Sequence, residues 1–237
     1  MGVKHIGIVA CSAEGAALCY RTICNAGRAL LGEHAHPEIT MHTHPLAQYM
    51  ARIRAGDWRG VADLMLSSGR KVAGAGAAFA ICPDNTIHQA FGLVAAESPI
   101  PWLHIARVVL DEASRAGYRQ LGILGTRFLM EGPVYVDAAC ERRIATLVPD
   151  ARDRVRVNEI ILDELVYGVL LEPSRAYFHD LIDRLAAQGC DAVVLGCTEI
   201  PLIVDPDRAS LPTLDSTRLL ARAALTYAVG PAAVRTD

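Results

Sequence analysis

A chain of 237 residues, 52% hydrophobic and 21% charged, can bury one large α/β core or two smaller ones. Its net charge of −3, its 5% aromatic content and the lack of any Lys/Arg cluster interleaved with aromatics argue against nucleic acid as a partner. The longest apolar run, Val72 to Cys82, is about half of what spans a bilayer, and the N-terminus has no signal-peptide pattern; a cytoplasmic protein with no membrane partner is expected. Its 7 cysteines are an odd number with no C-x-x-C pair, which disfavours a disulfide framework or a structural zinc site.

Strand-like and helix-like runs alternate along the chain. Ile6–Ala10 reads as a buried strand, Cys11–Gly15 as a turn, Ala16–Leu31 as a helix and Ile39–His42 as a second strand. Trp58–Ala75 has the spacing of an amphipathic helix, and Ala77–Cys82 reads as a third strand, broken by Pro83. In the second half, Leu103–Ala116 reads as a helix, Gln120–Leu124 as a strand, and Phe128–Cys140, Asp153–Tyr167 and Ser174–Gln188 as helices. Asp191–Leu195 is a buried strand and Ser216–Ala228 a closing helix. The alternation predicts an α/β protein: two similar Rossmann-like lobes with parallel sheets, related by a pseudo-twofold, with the active site in the cleft between them. The first lobe is expected to comprise residues 1–100 with 213–237, and the second 101–212.

Two strand ends echo each other. The run Ala77–Cys82 leads into the polar turn Asp84-Asn85-Thr86, and Asp191–Leu195 leads into Gly196-Cys197-Thr198-Glu199. Ligands of open α/β sheets bind at the carboxyl ends of strands. Cys197 has two readings: a small hydrophobe in the core, or a thiol at a strand-to-helix turn, where a helix N-terminus raises the thiolate fraction. The matching polar turn favours the second. Asp84-Asn85-Thr86 likewise reads both as an Asx-type cap and as a ligand-binding turn, and the two are compatible.

Four segments carry a resemblance to a known family: Ile6–Arg21, Ile81–His88, Gly125-Thr126-Arg127 through Tyr135, and Gly196–Pro201. Pro101–Ala106 and Val157–Gly168 also fit, so the likeness spans nearly the whole chain. The sequence resembles the cofactor-independent aspartate/glutamate racemase superfamily, particularly its bacterial broad-specificity amino-acid racemases; Gly-Cys-Thr-Glu after a buried strand is the most specific element. The resemblance implies Cα deprotonation on one face of an amino acid and reprotonation on the other, with no cofactor, acting on a small-molecule carboxylate or amino-acid substrate. It also implies a homo-oligomer. Carried over residue by residue, Cys197 is a catalytic acid/base. Asn85, Thr86, Thr126, Thr198 and Ser12 bind substrate, with Glu199, His42 and Tyr167 lining the same site.

The departures matter as much. The family's first-lobe turn usually reads Cys-Asn-Thr, or sometimes Thr-Asn-Thr, with a His two residues on. Here it is Asp84-Asn85-Thr86-Ile87-His88, so Asp84 stands where the first thiol would be and is expected to act as its counterpart; His88, one turn beyond, is placed to pair with it. Tyr167 stands where aspartate-directed members carry a Lys. His42-Thr43-His44 suggests a metal pair, but no third ligand stands at compatible spacing, so no metal is expected. Within the superfamily the alternative is an isomerase or decarboxylase of a small carboxylic acid, and outside it a silent small-acid binding protein.

Overall fold

A computed structural model describes residues 2–230. Among these the chain divides into two compact units, one of residues 2–105 with 217–230 and one of residues Ala106–Ser216. In the first, β1 (Ile6–Ala10), β2 (Ile39–Thr43), β3 (Phe79–Ile81) and β4 (Trp102–Leu103) form a parallel sheet in the order β2-β1-β3-β4. In the second, β5 (Gln120–Leu124), β6 (Ala145–Leu147), β7 (Ala192–Leu195) and β8 (Thr213–Asp215) repeat the arrangement as β6-β5-β7-β8. The chain is an α/β protein of two similar units, each built on a four-stranded parallel sheet.

The central strands are continuous apolar runs because helices cover them. Ile6, Ile8 and Val9 of β1 have no exposure, and each such burial is worth about 1.5–3 kcal/mol. Helix α1 (Ala13–Leu31) leaves β1 through Ser12, whose hydroxyl caps the Gly15 N–H, and stops before Gly32, where φ is +102°. Two helices bridge the sheet strands: the short α2 (Leu46–Arg54) after β2, then the longer α3 (Trp58–Gly74), which opens on an Asp57 cap. The buried stripe of α3, from Val61 through Val72, crosses β1 at Gly7; a Cβ there would lie 2.7 Å from Val72 Cγ2. A 3₁₀ turn, Thr86–Ala90, and α4 (Phe91–Glu97) lead to β4.

The second unit repeats this contact. After α5 (Ile105–Ala116), β5 carries Gly122, where a Cβ would meet Leu185 Cδ1 of α9 (Glu172–Ala187) at 2.9 Å. Between β5 and α9 run α6 (Arg127–Met130), α7 (Val134–Cys140) and α8 (Ala151–Glu159). The expected helix 128–140 is two helices, because Gly132-Pro133 interrupts it and Pro133 starts the second. The expected helix 153–167 is regular only to Glu159 and then continues as a π turn and a 3₁₀ turn that ends at Gly168, φ +72°. After β7 come α10 (Ile200–Ile203) and, beyond β8, α11 (Ser216–Val229). Among the described residues no helix is long and apolar enough to cross a membrane.

Candidate active site

Each sheet starts at one central strand and builds outward on both sides, so the carboxyl ends of β1 and β3, and of β5 and β7, flank a topological switch point. The strand registers then fix which residues correspond. Ile8 pairs with Ile81 in the first sheet, and Ile123 with Val194 in the second. Three residues beyond those pairs stand Cys11 and Asp84 in one unit, and Thr126 and Cys197 in the other. Asp84 and Cys197 therefore hold the same position in two repeats of one design.

In the second unit, glycines let the strand ends close up. Gly196 donates its N–H to the Leu124 carbonyl at 2.7 Å. A Cβ on Gly196 would sit 2.9 Å from that carbonyl oxygen and 2.5 Å from Leu129 Cδ2, and one on Gly125 would meet Leu129 Cδ2 at 2.7 Å. At Gly196 the backbone oxygen leaves room only for glycine, whereas at Gly125 the near atom is the movable end of Leu129. Thr126 caps α6, accepting from the Leu129 N–H at 3.3 Å. Cys197 follows, half-buried, and its Sγ–H donates to Glu199 Oε2 at 2.9 Å; the Thr198 hydroxyl donates to the same oxygen at 2.6 Å. Glu199 is 2% exposed and Thr198 3%. Glu199 is thus buried beside the thiol as its acceptor. Helix α10 contains only four residues, so little macrodipole reaches Cys197.

In the first unit, Asp84 is half-buried after Cys82 and Pro83, and Asn85 is 2% exposed. One Asp84 carboxylate oxygen accepts the Ile87 N–H at 3.4 Å, so the turn has the capping geometry read from its sequence. His88 does not pair with the Asp84 carboxylate. Its Nδ1 meets the Asp84 backbone carbonyl at 2.7 Å, and the Ile105 N–H donates to its Nε2 at 3.3 Å. An N–H donor on Nε2 requires a lone pair there, so His88 is the neutral Nδ1–H tautomer and donates to Asp84. Burial, reinforced by the adjacent His104, pushes its pKa down to about 3. This histidine pins the backbone of the Asp84 turn. Cys82 is fully buried, and burial followed by the charge of Asp84 pushes its thiol well up. It is a core residue and no substitute for the missing thiol. Ser12 is 9% exposed at the end of β1, and Thr86 is half-buried at the start of the 3₁₀ turn.

Two further expected residues lie outside the two strand-end turns. His42, on β2, has both ring nitrogens engaged, Nδ1 with Ser68 Oγ and Nε2 with Lys71 Nζ, each at 2.9 Å. His44 Nε2 meets Ser67 Oγ at 3.2 Å. Among the described residues no group of three or more His, Cys, Asp or Glu is arranged to hold a metal ion. Tyr167 is 75% exposed on the 3₁₀ turn before Gly168. Two groups at the first unit's sheet edge escaped the sequence reading. Cys11, 4% exposed, stands three residues past β1's last β3 pair, and Tyr49, with no exposure, faces it from α2.

Two parallel αβ units, with a polar turn at the switch point of each, form the kind of α/β scaffold that binds small ligands at its strand ends. Residues 6–224 match the model of the Asp/Glu/hydantoin racemase family, and the chain belongs to that family. It is 33% identical to a Yersinia pestis protein assigned as an Asp/Glu racemase, covering 96% of this chain and 100% of that one, with a TM-score of 0.87. An aspartate racemase homologue from Pyrococcus horikoshii shares the fold at 24% identity, covering 96% of this chain and 100% of that one, TM-score 0.83. The glutamate racemase of Francisella tularensis, solved with D-glutamate, shares it at 12% identity, covering 100% of this chain and 85% of that one, TM-score 0.69.

Proposed function

We propose that this chain is a cofactor-independent racemase or epimerase of an amino acid, in which Cys197 and Asp84 each exchange a proton with one face of the substrate Cα. The observation that carries this reading is the register equivalence of the two residues. Two copies of one strand-end turn supply two proton-carrying groups, which is what inversion at carbon without a cofactor requires. The Cys197 S–H protonates the carbanion from its side, or, after Glu199 has accepted that proton, the thiolate removes the α-hydrogen. Asp84 performs the complementary transfer. Hydroxyl and amide donors of Ser12, Asn85, Thr86 and Thr126 hold the substrate carboxylate, where negative charge grows in the transition state.

The test is incubation with an amino-acid panel in deuterated water. The α-hydrogen exchanges in the wild type, the two enantiomers exchange at unequal rates, and Cys197→Ala abolishes exchange. No exchange with any amino acid, combined with tight binding of a small acid, would leave a silent binding protein. The presence of one thiol rather than two favours a second reading, protonation on one face only, as in a decarboxylase or isomerase of a small carboxylic acid. Release of carbon dioxide from a malonate-type acid, again dependent on Cys197, moves the assignment there.

A further inference from the structure

The segment between α8 and α9 is fastened at its two ends to the two strand-end turns of the second unit. At one end the Asn158 side-chain oxygen accepts the Arg127 N–H at 3.0 Å, and Arg127 directly follows Thr126. At the other, Arg175 Nη1 donates to the Ile203 carbonyl at 2.5 Å, and Ile203 closes the short helix that follows Cys197. The topology agrees: α9 feeds the amino end of β7, so its first turn lies at the carboxyl edge of the sheet. The root of the segment is apolar and buried. Ile161 and Leu165 have no exposure and belong to the cluster on which Cys197 packs. The Gly168 N–H returns to the Leu165 carbonyl at 2.9 Å and the Val169 N–H to the Glu164 carbonyl at 3.1 Å. Beneath them the buried Ser174 hydroxyl donates to the Glu164 carboxylate and ties the two arms of the loop together.

What this tethered loop turns to solvent is apolar. Tyr167 is 75% exposed, and Val169, Leu170 and Leu171 are 41%, 45% and 46% exposed. Apart from Gly168, every residue from Tyr167 to Leu171 is a large apolar side chain facing water. Such a run is an aggregation liability, and a chain keeps it where an apolar partner uses it. Its flanks are unsuited to an acidic partner. Residues 158–175 hold four carboxylates, Glu159, Asp163, Glu164 and Glu172, against one cation, Arg175. Arg175 is paired with Glu172 at 3.2 Å, and Arg156, just ahead of the segment, is shared by Glu159 and Glu164. Small-molecule sites are mostly apolar, with a few polar groups that fix orientation. At this edge the Thr126 and Cys197 turns supply the polar groups, and the loop fastened to them supplies the apolar area.

We propose that Tyr167, Val169, Leu170 and Leu171 form a side-chain subsite at the carboxyl edge of the second unit, and that the substrate is an amino acid with an apolar side chain, such as leucine or methionine, rather than aspartate or glutamate. The reaction rests on the reading of Cys197 as an acid/base; the choice of side chain rests on the loop.

Two unreactive acids test the choice in the intact protein. 4-Methylpentanoate and glutarate share one carboxylate and differ at the far end, which is apolar in the first and charged in the second. By calorimetry at neutral pH the wild type should bind 4-methylpentanoate at least about 10-fold more tightly. The double variant Leu170→Ser, Leu171→Ser, at two surface positions, should lose about 10-fold for that acid and leave glutarate unchanged. Leu170→Lys should tighten glutarate by about threefold. In the deuterium-exchange assay leucine and methionine should react faster than aspartate, glutamate or lysine, and the double variant should raise KM for leucine with kcat nearly held. Glutarate bound as tightly as 4-methylpentanoate, no measurable binding of the latter, or a double variant that binds it like the wild type overturns the proposal. Preferred exchange of lysine or of the acidic amino acids does the same. A wild-type dimer that the double variant turns into monomers, with 4-methylpentanoate binding intact, assigns the loop to a second copy of the chain and overturns the subsite. The binding measurement needs no turnover: a loop-dependent preference for 4-methylpentanoate without exchange of any amino acid removes the racemase reading alone, and exchange confined to aspartate or glutamate removes the subsite alone.

Discussion

Replacing Glu199 by Gln separates what the carboxylate does to the thiol from what it does for the reaction. Gln keeps the volume and one acceptor oxygen but removes the charge from a residue that is 2% exposed. Ionising Cys197 beside Glu199 places two negative charges 2.9 Å apart. Even with the screening of bulk water that repulsion is about 1.4 kcal/mol, or about one pH unit, and the dry surroundings make it larger. The S–H···O bond adds to the preference for the thiol. In Glu199→Gln the pH midpoint for alkylation of Cys197 by iodoacetamide should therefore fall by about one unit or more. Peptide-resolved mass spectrometry keeps the exposed Cys140 and the half-buried Cys24 out of the measurement. The α-hydrogen exchange rate should move the other way, falling about 100-fold, because the group that receives the thiol proton is gone. A more reactive thiol in a slower enzyme is a signature that unfolding does not mimic, since unfolding exposes every cysteine together. A midpoint that stays or rises would refute the electrostatic coupling on which the site is built.

Two further perturbations test the scaffold. Native His88 stays neutral down to about pH 3, whereas in the unfolded chain it takes a proton near pH 6.5, so between these values the unfolded state binds more protons and stability rises with pH. Acidifying from pH 7 to pH 5 should cost about 2 kcal/mol through this group in urea titrations; His88→Asn, which keeps a donor toward the Asp84 carbonyl, should remove that slope, and an unchanged slope would show that His88 is not its source. Gly196→Ala forces a Cβ to within 2.9 Å of the Leu124 carbonyl oxygen, a backbone atom that cannot swing aside. A loss of about 1–3 kcal/mol is expected, with weaker α-hydrogen exchange because Cys197 is carried along; a neutral substitution would mean that the two strand ends are not held that closely.

The sequence was legible where long-period patterns and short apolar runs carried the signal. β1 has the bounds read from composition alone, and β3 and β7 lie inside their expected runs. It was illegible where short elements lack a continuous buried run: β4, β6 and β8 contain only two or three residues each, and most of these are partly exposed, whereas the equally short β3 is wholly buried. Helix α2 was missed for another reason. Only Tyr49 and Ile53 of its nine residues are buried, so it lacks a full apolar stripe. Cys197 was singled out by its strand and turn, and its neighbours were not legible in the sequence. A four-residue helix follows it, and a carboxylate two positions on accepts its proton. The contacts of His42 were unreadable for a simpler reason: it is 26 residues from Ser68 and 29 from Lys71, and only the fold unites them. One signal was present and passed over. Ile6-Gly7-Ile8-Val9 and Leu121-Gly122-Ile123-Leu124 are the same strand twice, with glycine where a helix crosses.

That repetition makes the difference between the two turns informative. One scaffold has been used twice, with different chemistry at the same two register positions. The first unit sets Asp84 on β3's side and Cys11 on β1's; the second sets Cys197 on β7's side and Thr126 on β5's. Two thiols at equivalent sites would differ only through their neighbours. A carboxyl and a thiol differ intrinsically, by about 4–5 pH units, so the two groups are unequal proton carriers before any neighbour acts on them. At Cys197 the surroundings add to that inequality, because its S–H donates to the Glu199 carboxylate. In the proposed reaction the resting enzyme is therefore loaded in one direction, with Asp84 ready to accept a proton and Cys197 ready to give one. The opposite direction requires the less stable protonation state of both groups. Unequal exchange of the two enantiomers follows from this loading, without any difference in how tightly each is bound.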